Sequence, residues 1–75
     1  GVVALLRQGF ADSDARVRLA AVAALGAIQS PYYNDARVAA IGDLERLAAG
    51  DPNPSVSASA ARLLGQIAPA KLPAP

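Results

Sequence analysis

The chain has 75 residues, a net charge of +1 and no cysteine, histidine, methionine or tryptophan. So short a chain makes one small domain at most, and such a domain buries only about 60% of the surface that its unfolded chain exposes. The missing cysteine and histidine exclude disulfides, thiolate nucleophiles, imidazole acid–base catalysis and the commonest metal sites. The weak net charge argues against binding to nucleic acid or to an acidic membrane.

Two helices are predicted before the proline at position 31. Residues 1–11 place Val2, Leu5 and Leu6 on one face at helical spacing. Asp14 is predicted to cap the second helix, over residues 15–28, because its carboxylate can accept hydrogen bonds from the free amides of the first turn. The apolar stripe of this second helix is predicted to consist of Val17, Ala21, Ala24, Leu25 and Ile28.

Two further helices follow. Asn34 or Asp35 is predicted to cap a helix over residues 36–49, which ends at Gly50 as a left-handed C-cap. Asn53 is predicted to cap the fourth helix, with Pro54 at its first position. The inward stripes of these two helices are Ile41, Leu44, Leu47 and Ala48, then Val56, Ala60, Leu63, Leu64 and Ile67. Residues 68–75 contain three prolines and are predicted to form an extended tail or linker.

The second half of the chain repeats the first at a distance of 39 residues. Aligning residues 2–28 with 41–67 gives eight identities over 27 positions without a gap. The matches fall on stripe residues, on the turn and on a helical glycine rather than at random. They pair Leu5 with Leu44, Arg7 with Arg46, Asp12 with Asp51, Val17 with Val56, Ala21 with Ala60, Leu25 with Leu64, Gly26 with Gly65 and Ile28 with Ile67. A period near 40 residues is typical of stacked helical hairpins.

The stretch from Asp12 to Ile28, DSDARVRLAAVAALGAI, resembles a HEAT repeat. It is most similar to the phycobilisome-lyase-type HEAT-like subgroup, whose units read Asp-x-Asp-x-x-Val-Arg-x-x-Ala-Ala-x-Ala-Leu-Gly-x-Ile. The second unit, from Asp51 to Ile67, is similar but looser. The resemblance implies an all-α fold, an α-solenoid fragment of two HEAT-like hairpins with four helices. The units would cover residues 1–28 and 35–67 of one domain over 1–67.

The resemblance also implies roles for particular residues. In such repeats the turn aspartate and the arginine after the valine commonly pair between neighbouring units, which assigns a structural ladder to Asp12, Arg18 and Asp51. Ser57 stands at the position that matches Arg18, so the ladder is not expected to continue beyond the second unit. The second helix of each unit usually lines the concave face. A candidate partner surface there comprises Arg16, Leu19, Val22, Ala23, Ala58, Ala61 and Arg62.

Two further features are open to more than one interpretation. Tyr32 and Tyr33 form an aromatic pair in a loop, which could anchor a partner or pack over the ends of neighbouring helices. Gly26 and Gly65 recur at one phase inside helices, which suggests either a close helix approach or the end of each helix. Leu19 and Val22 could contact a partner or pack on an adjacent repeat.

The sequence therefore predicts a non-catalytic scaffold that binds another protein, at the end of a longer HEAT array, with no enzyme activity, cofactor or metal. Its partner would be another protein or further repeats of the same chain, and self-association is possible. A chromophore-handling subunit of a lyase-type enzyme is the alternative function. Nucleic-acid binding through Arg16, Arg18 and Arg62 is a weaker one. No apolar run spans a bilayer and no signal peptide is visible, which favours the cytoplasm without fixing the compartment.

Overall fold

The computed structural model describes residues 1–28 and 34–71, which form four α-helices and one short 3-10 helix. The helices are α1 (Val2–Phe10), α2 (Ala15–Ala27), α3 (Asn34–Gly50) and α4 (Pro54–Ile67), and the 3-10 helix covers Pro69–Lys71. The described part of the chain contains no strand, so the predicted all-α class is confirmed. None of these helices is both long enough and apolar enough to cross a membrane.

The helices pack as two antiparallel hairpins that lie side by side. Helix α1 packs on α2 in the first unit and α3 packs on α4 in the second, while α2 contacts α4 and α1 contacts α3 between the units. The chain measures 31 × 27 × 16 Å. Its smallest dimension fits two layers of helices, because packed helix axes lie about 8–10 Å apart. One layer holds α1 and α3, and the other holds α2 and α4.

Local side chains determine where α2 and α4 begin. The Asp14 carboxylate accepts a hydrogen bond of 2.8 Å from the Arg16 amide at the start of α2. The Asn53 side-chain oxygen accepts bonds from two amides in the first turn of α4, and Pro54 follows it where a missing amide proton costs nothing. Both predicted N-caps are confirmed.

Two predictions about helix ends were wrong. Helix α3 begins at Asn34, so Asn34 and Asp35 lie within its first turn rather than before it. Gly50 is the last residue of α3, and no glycine of the described segments has a positive φ. The helical pattern continues past it, because the Asp51 amide donates to the Leu47 carbonyl. Within the predicted tail, Pro69–Lys71 form a 3-10 helix that contacts α4, while residues 72–75 lie outside the described part.

The core joins all four helices. The predicted stripes of α3 and α4 are confirmed, since their members are either buried or partly buried against the core. The largest fully buried side chains are Phe10, Leu25, Leu44, Leu64 and Val56. Because these residues come from both hairpins, the two units share one core, as expected for hairpins that cannot each bury an apolar face alone.

The stripe predicted for the first unit was partly wrong. Leu5 is 70% exposed and Val17 is 39% exposed, whereas Phe10 and Val22 are buried. The second unit packs against only one side of the first, so the residues turned toward that side are covered. The opposite side of the first unit, which we call the open side, carries Leu5 and Val17.

Close approach of α1 and α2 depends on Gly9 rather than on Gly26. A Cβ atom on Gly26 would lie 3.7 Å from Leu63 Cδ1, which is an ordinary contact, so of the two alternatives for Gly26 the close approach is not required. A Cβ atom on Gly9 would lie only 2.8 Å from the Ala21 Cβ. Such a distance is not tolerated between rigid methyl groups, so the spacing of this hairpin requires glycine at position 9.

We expect Gly9→Ala to lower the melting temperature by several degrees, roughly what a loss of about 1 kcal/mol produces in a domain of this size. The gain in helix propensity, itself about 1 kcal/mol, is outweighed because α1 and α2 must separate. Gly42→Ala is the matched control. Nothing lies within 4 Å of a Cβ at that helical position, so this variant should melt higher than the parent. Equal stabilisation by both substitutions in thermal melts would contradict the close packing at Gly9.

Candidate functional site

Arg18 joins the turns of the two units. Its Nε donates to Asp51 Oδ2 at 2.7 Å, and its Nη2 donates to Asp51 Oδ1 at 3.2 Å. Its Nη1 donates to the backbone carbonyls of Asp12 and Ser13 in the turn of its own unit. The Arg18 side chain is 13% exposed and that of Asp51 is 2% exposed. The pair therefore forms a bidentate ion pair largely shielded from water, where such bonds are strongest.

The Asp51 carboxylate also organises its own turn. Its Oδ1 accepts a bond of 2.9 Å from the Asn53 amide, just ahead of α4. Hydrogen bonds from the Arg18 side chain hold the pKa of this carboxyl below its ordinary value, and the Asn53 amide adds to the effect against the opposing effect of burial. Asp51 is therefore held as an anion.

A second charged cluster links α1 to α3. The buried Asp43 carboxylate accepts a bond of 3.1 Å from Arg7 Nε and another of 2.9 Å from Arg46 Nη2. The two arginines occupy equivalent positions of the two units. Sequence reasoning missed this site, although the identity of Arg7 with Arg46 and the spacing of Asp43 to Arg46 were visible signals.

A groove runs between α2 and α4 on the other layer. It encloses about 240 Å³, and we call it the arginine groove. Its lining consists of Val22, Ala23, Gly26, Ser59, Arg62, Leu63 and Gln66. Val22 and Leu63 contribute apolar surface although each is largely buried, and Ala23 and Arg62 are exposed at its edge.

The charges on this layer are all positive. Helices α2 and α4 contain three arginines and no aspartate or glutamate. Arg18 is neutralised by Asp51, and the exposed Arg16 pairs with Asp14 at 2.9 Å. This side-chain bond from Arg16 lowers the pKa of Asp14. Within residues 1–28 and 34–71, no carboxylate pairs with Arg62.

Only some residues of the predicted partner surface lie at the arginine groove. Ala23 and Arg62 lie at the arginine groove, whereas Arg16, Leu19, Ala58 and Ala61 are not among its lining residues. Val22 lies at the groove but is only 3% exposed, and Leu19 is partly buried against the same core. Of the two alternatives for Leu19 and Val22, packing on a neighbouring repeat fits this burial better than contact with a partner, because α4 covers this side of α2. Tyr32 and Tyr33 lie outside the described residues.

A hollow larger than the arginine groove lies in the α1–α3 layer, beside the charged cluster. It encloses about 920 Å³ and is lined by Arg7, Arg18 and Arg46 together with Asp12, Asp43 and Asp51 among other residues. Three of these charges are already paired, because Asp43 binds both Arg7 across the units and Arg46 within α3, and Arg18 is paired with Asp51. The described residues contain no group of three or more metal-binding side chains.

The fold and its internal repeat agree with a comparison against known protein families. A family model described as HEAT repeats matches residues 2–74, nearly the whole chain. The chain belongs to the HEAT repeat family. No curated protein and no solved structure matches it significantly. The match gives the family but not the lyase-type subgroup, which stays a hypothesis.

The arginine groove and the ion pairs between the units lie in different parts of this HEAT fold. HEAT repeats generally mediate contacts between proteins. In this HEAT fragment the second helices of the two units, α2 and α4, form one layer, and the arginine groove lies between them. The two ion pairs that cross between the units, Arg18–Asp51 and Arg7–Asp43, lie on the other side or at the turns. The charged contacts of stacking and the arginine groove are thus separate features.

Proposed function

We infer that this HEAT fragment is a scaffold module that binds a protein partner at the arginine groove. The partner would insert an apolar side chain between α2 and α4 and place a carboxylate on Arg62. The observation that carries this proposal is the Arg62 guanidinium, which pairs with no carboxylate of residues 1–28 and 34–71 and lies at the edge of a partly apolar groove, on two helices without acidic residues.

Binding of this kind would use two physical contributions. An apolar side chain that enters the groove is removed from water against Val22 and Leu63. A carboxylate on Arg62 gains a charge-assisted hydrogen bond that does not compete with any ion pair of the described chain. The wider α1–α3 hollow offers less, because a charged ligand there would have to displace the carboxylates that already hold Arg7, Arg18 and Arg46.

We expect selection of a displayed random-peptide library on the full chain to yield peptides that combine acidic and apolar residues. Calorimetry on a selected peptide should then show binding weakened by about tenfold or more in Arg62→Gln, because one charge-assisted bond is lost. Arg46→Gln is the matched control, since it removes the same charge from the α1–α3 layer while Arg7 still pairs with Asp43. An equal loss of peptide affinity in both variants would mean that only net charge matters, and would contradict binding at the arginine groove.

A second pair of variants tests the groove by shape. Ala23→Phe places a large ring at the groove, whereas Ala39→Phe places the same ring on the exposed surface of α3. We expect the first variant to abolish binding of the selected peptide and the second to leave it unchanged. Circular dichroism on both variants would establish that the helices are retained. Unchanged binding by Ala23→Phe would place the peptide elsewhere.

The two alternative functions have less support from the geometry. Arg16 and Arg18 are both paired with carboxylates, so nucleic acid would meet Arg62 alone or would have to break those pairs. A steep fall of affinity with salt on an oligonucleotide would favour that function. A chromophore-handling role rests on the subgroup resemblance alone, and the chain has no cysteine or histidine to hold a bilin. A visible absorbance band on mixing with a bilin would favour it.

The outward side of the second unit is not built to continue the stack with the same contacts. Ala49, Ser57 and Ala61 stand there, at the positions that match Phe10, Arg18 and Val22 in the first unit. The buried aromatic ring, the bridging arginine and the valine that hold the two units together thus have no counterparts on this side. Their absence supports a place for the second unit at the end of a stack, where repeats are atypical.

A further inference from the structure

The open side of the first unit is equivalent to the side of the second unit on which the first unit packs. It forms a hollow of about 410 Å³ lined by Leu5, Gln8, Gly9, Asp12, Val17 and Ala21, with two other residues. The residues 39 positions after Leu5, Val17 and Ala21 are 0% exposed. They are Leu44, Val56 and Ala60. All three positions are thus buried in the second unit, whereas in the first unit only Ala21 is buried and Leu5 and Val17 are exposed.

The first unit itself shows what covers this side in the second. Phe10, Val22 and Leu25 share one core cluster with Leu44 and Val56, so apolar side chains of a helical hairpin cover the two stripe residues. The same hairpin contributes Arg18, which binds the turn aspartate. A matching partner for the open side is therefore a hairpin that presents an apolar face and one arginine.

The Asp12 carboxylate accepts the same backbone hydrogen bond as the Asp51 carboxylate, but it has no arginine partner among the described residues. Its Oδ1 accepts a bond of 2.8 Å from the Asp14 amide, and Asp51 Oδ1 accepts a bond of 2.9 Å from the Asn53 amide. Among residues 1–28 and 34–71, no arginine or lysine pairs with the Asp12 carboxylate. The turn of the first unit therefore presents its carboxylate in the same way, with one oxygen available to a cation.

We propose that the open side binds a helical hairpin that covers Leu5 and Val17 and places an arginine on Asp12. This interface is distinct from the arginine groove and does not depend on it. A second copy of the chain is a poor occupant, because the outward side of its second unit has Ser57 in place of the arginine and alanines in place of the large apolar residues. Gln8 stands where Leu47 is buried, so the hairpin meets a polar group there.

A tandem chain tests the proposal with a known hairpin as the probe. Residues 1–39 placed directly before the full 75-residue chain preserve the 39-residue period, so a copy of the first unit precedes the open side. We expect the tandem chain to melt higher than the parent by roughly 10 °C or more, because repeat stability grows with each stacked interface.

Substitutions on the open side then show whether the added hairpin occupies it. Asp12→Asn in the downstream copy keeps an oxygen for the Asp14 amide but loses the anion. We expect it to lower the melting temperature of the tandem chain by several degrees more than that of the parent, and to have no extra effect once Arg18 of the upstream copy is changed to Gln. Val17→Arg should likewise harm only the tandem chain. Val38→Arg in the last unit, on an exposed valine of α3, is the control.

Two results would overturn the proposal. The first is a tandem chain that melts no higher than the parent, or in which Asp12→Asn and Val17→Arg cost the same as they do in the parent. The second is a parent chain that sediments as a dimer and becomes a monomer on Val17→Arg, because the occupant would then be another copy. Neither result bears on peptide binding at the arginine groove, which has its own variants.

Discussion

Replacing Leu44 with alanine is expected to destabilise the chain by about 3 kcal/mol, within the range measured for leucine-to-alanine changes in packed cores. Leu44 is 0% exposed and lies in the cluster that joins the two units. A domain of this size has few kcal/mol of stability to lose, so most of the molecules should be unfolded near physiological temperature. Chemical denaturation followed by circular dichroism measures the change.

Leu5→Ala is the matched control, because Leu5 is the equivalent leucine one unit earlier. It lies in α1 and is 70% exposed, so its removal opens no cavity. We expect a change of less than about 0.5 kcal/mol, as for other surface substitutions. Helix propensity changes identically in the two variants, so the difference between them measures packing alone. Similar losses for both leucines would mean that the open side is covered in solution.

Arg18→Ala is expected to lower the melting temperature by roughly 15 °C, because it leaves the Asp51 carboxylate without its counter-charge in a nearly dry position. It also removes the bonds from Arg18 to the carbonyls of Asp12 and Ser13. One side chain thus connects α2, its own turn and the next turn. Its loss weakens the stacking of the hairpins more than the helices themselves, and thermal melts measure the effect.

Arg7→Ala provides the comparison, since it breaks the other ion pair between the units. The Arg7 side chain is 60% exposed, and Asp43 keeps Arg46 as a partner. We therefore expect a drop of only a few degrees, as for partly exposed pairs. A double-mutant cycle of Arg18→Ala with Asp51→Ala separates the pair from its surroundings. Additive effects in that cycle would show that the two residues do not stabilise the fold through each other.

The same ion pair predicts a dependence of stability on pH. Hydrogen bonds from Arg18 hold the pKa of Asp51 below the ordinary value of 3.8. Because this carboxyl has the lower pKa in the folded state, its contribution is complete above the ordinary value and is lost as the pH falls through the folded value. The parent chain should therefore lose more stability between neutral pH and about pH 3 than Arg18→Ala loses. Asp14 changes this comparison little, because its pKa is lowered mainly by hydrogen bonds from Arg16 and the charge of Arg18 is the smallest of the causes.

The sequence predicted those features that depend on neighbours along the chain. Asp14 and Asn53 cap helices because their side chains reach amides two or three residues ahead, and that reach is fixed by local geometry. The stripes of α3 and α4 were also predictable, since all their members lie in the shared core or pack against it. The 39-residue period predicted the two hairpins, because the same turn and stripe positions recur in both halves of the chain.

Features that depend on a neighbouring helix were not predictable from one helix at a time. The period-3.6 pattern of α2 placed Val17 on the inward stripe and Val22 on the candidate partner surface, and only the position of α4 decides that Val22 is the buried one. Burial of Asp43 requires arginines from two helices, so it was missed. The requirement for glycine at position 9 was also not predictable, because it arises from the Ala21 methyl group on another helix. At the candidate site, Arg62 and Ala23 were chosen from the resemblance, and their role in binding stays a prediction.

The one-sided packing of the first unit has a consequence for motion. Helix α1 is the shortest of the four helices, packs on α2 and α3 only from one flank, and has no side-chain hydrogen bond at its N-cap. Fluctuations that open the chain therefore begin by fraying α1, while α4, held by α2, α3 and the 3-10 helix, opens last. We therefore expect local stability, measured by amide hydrogen exchange, to be lowest in α1 and highest in α4.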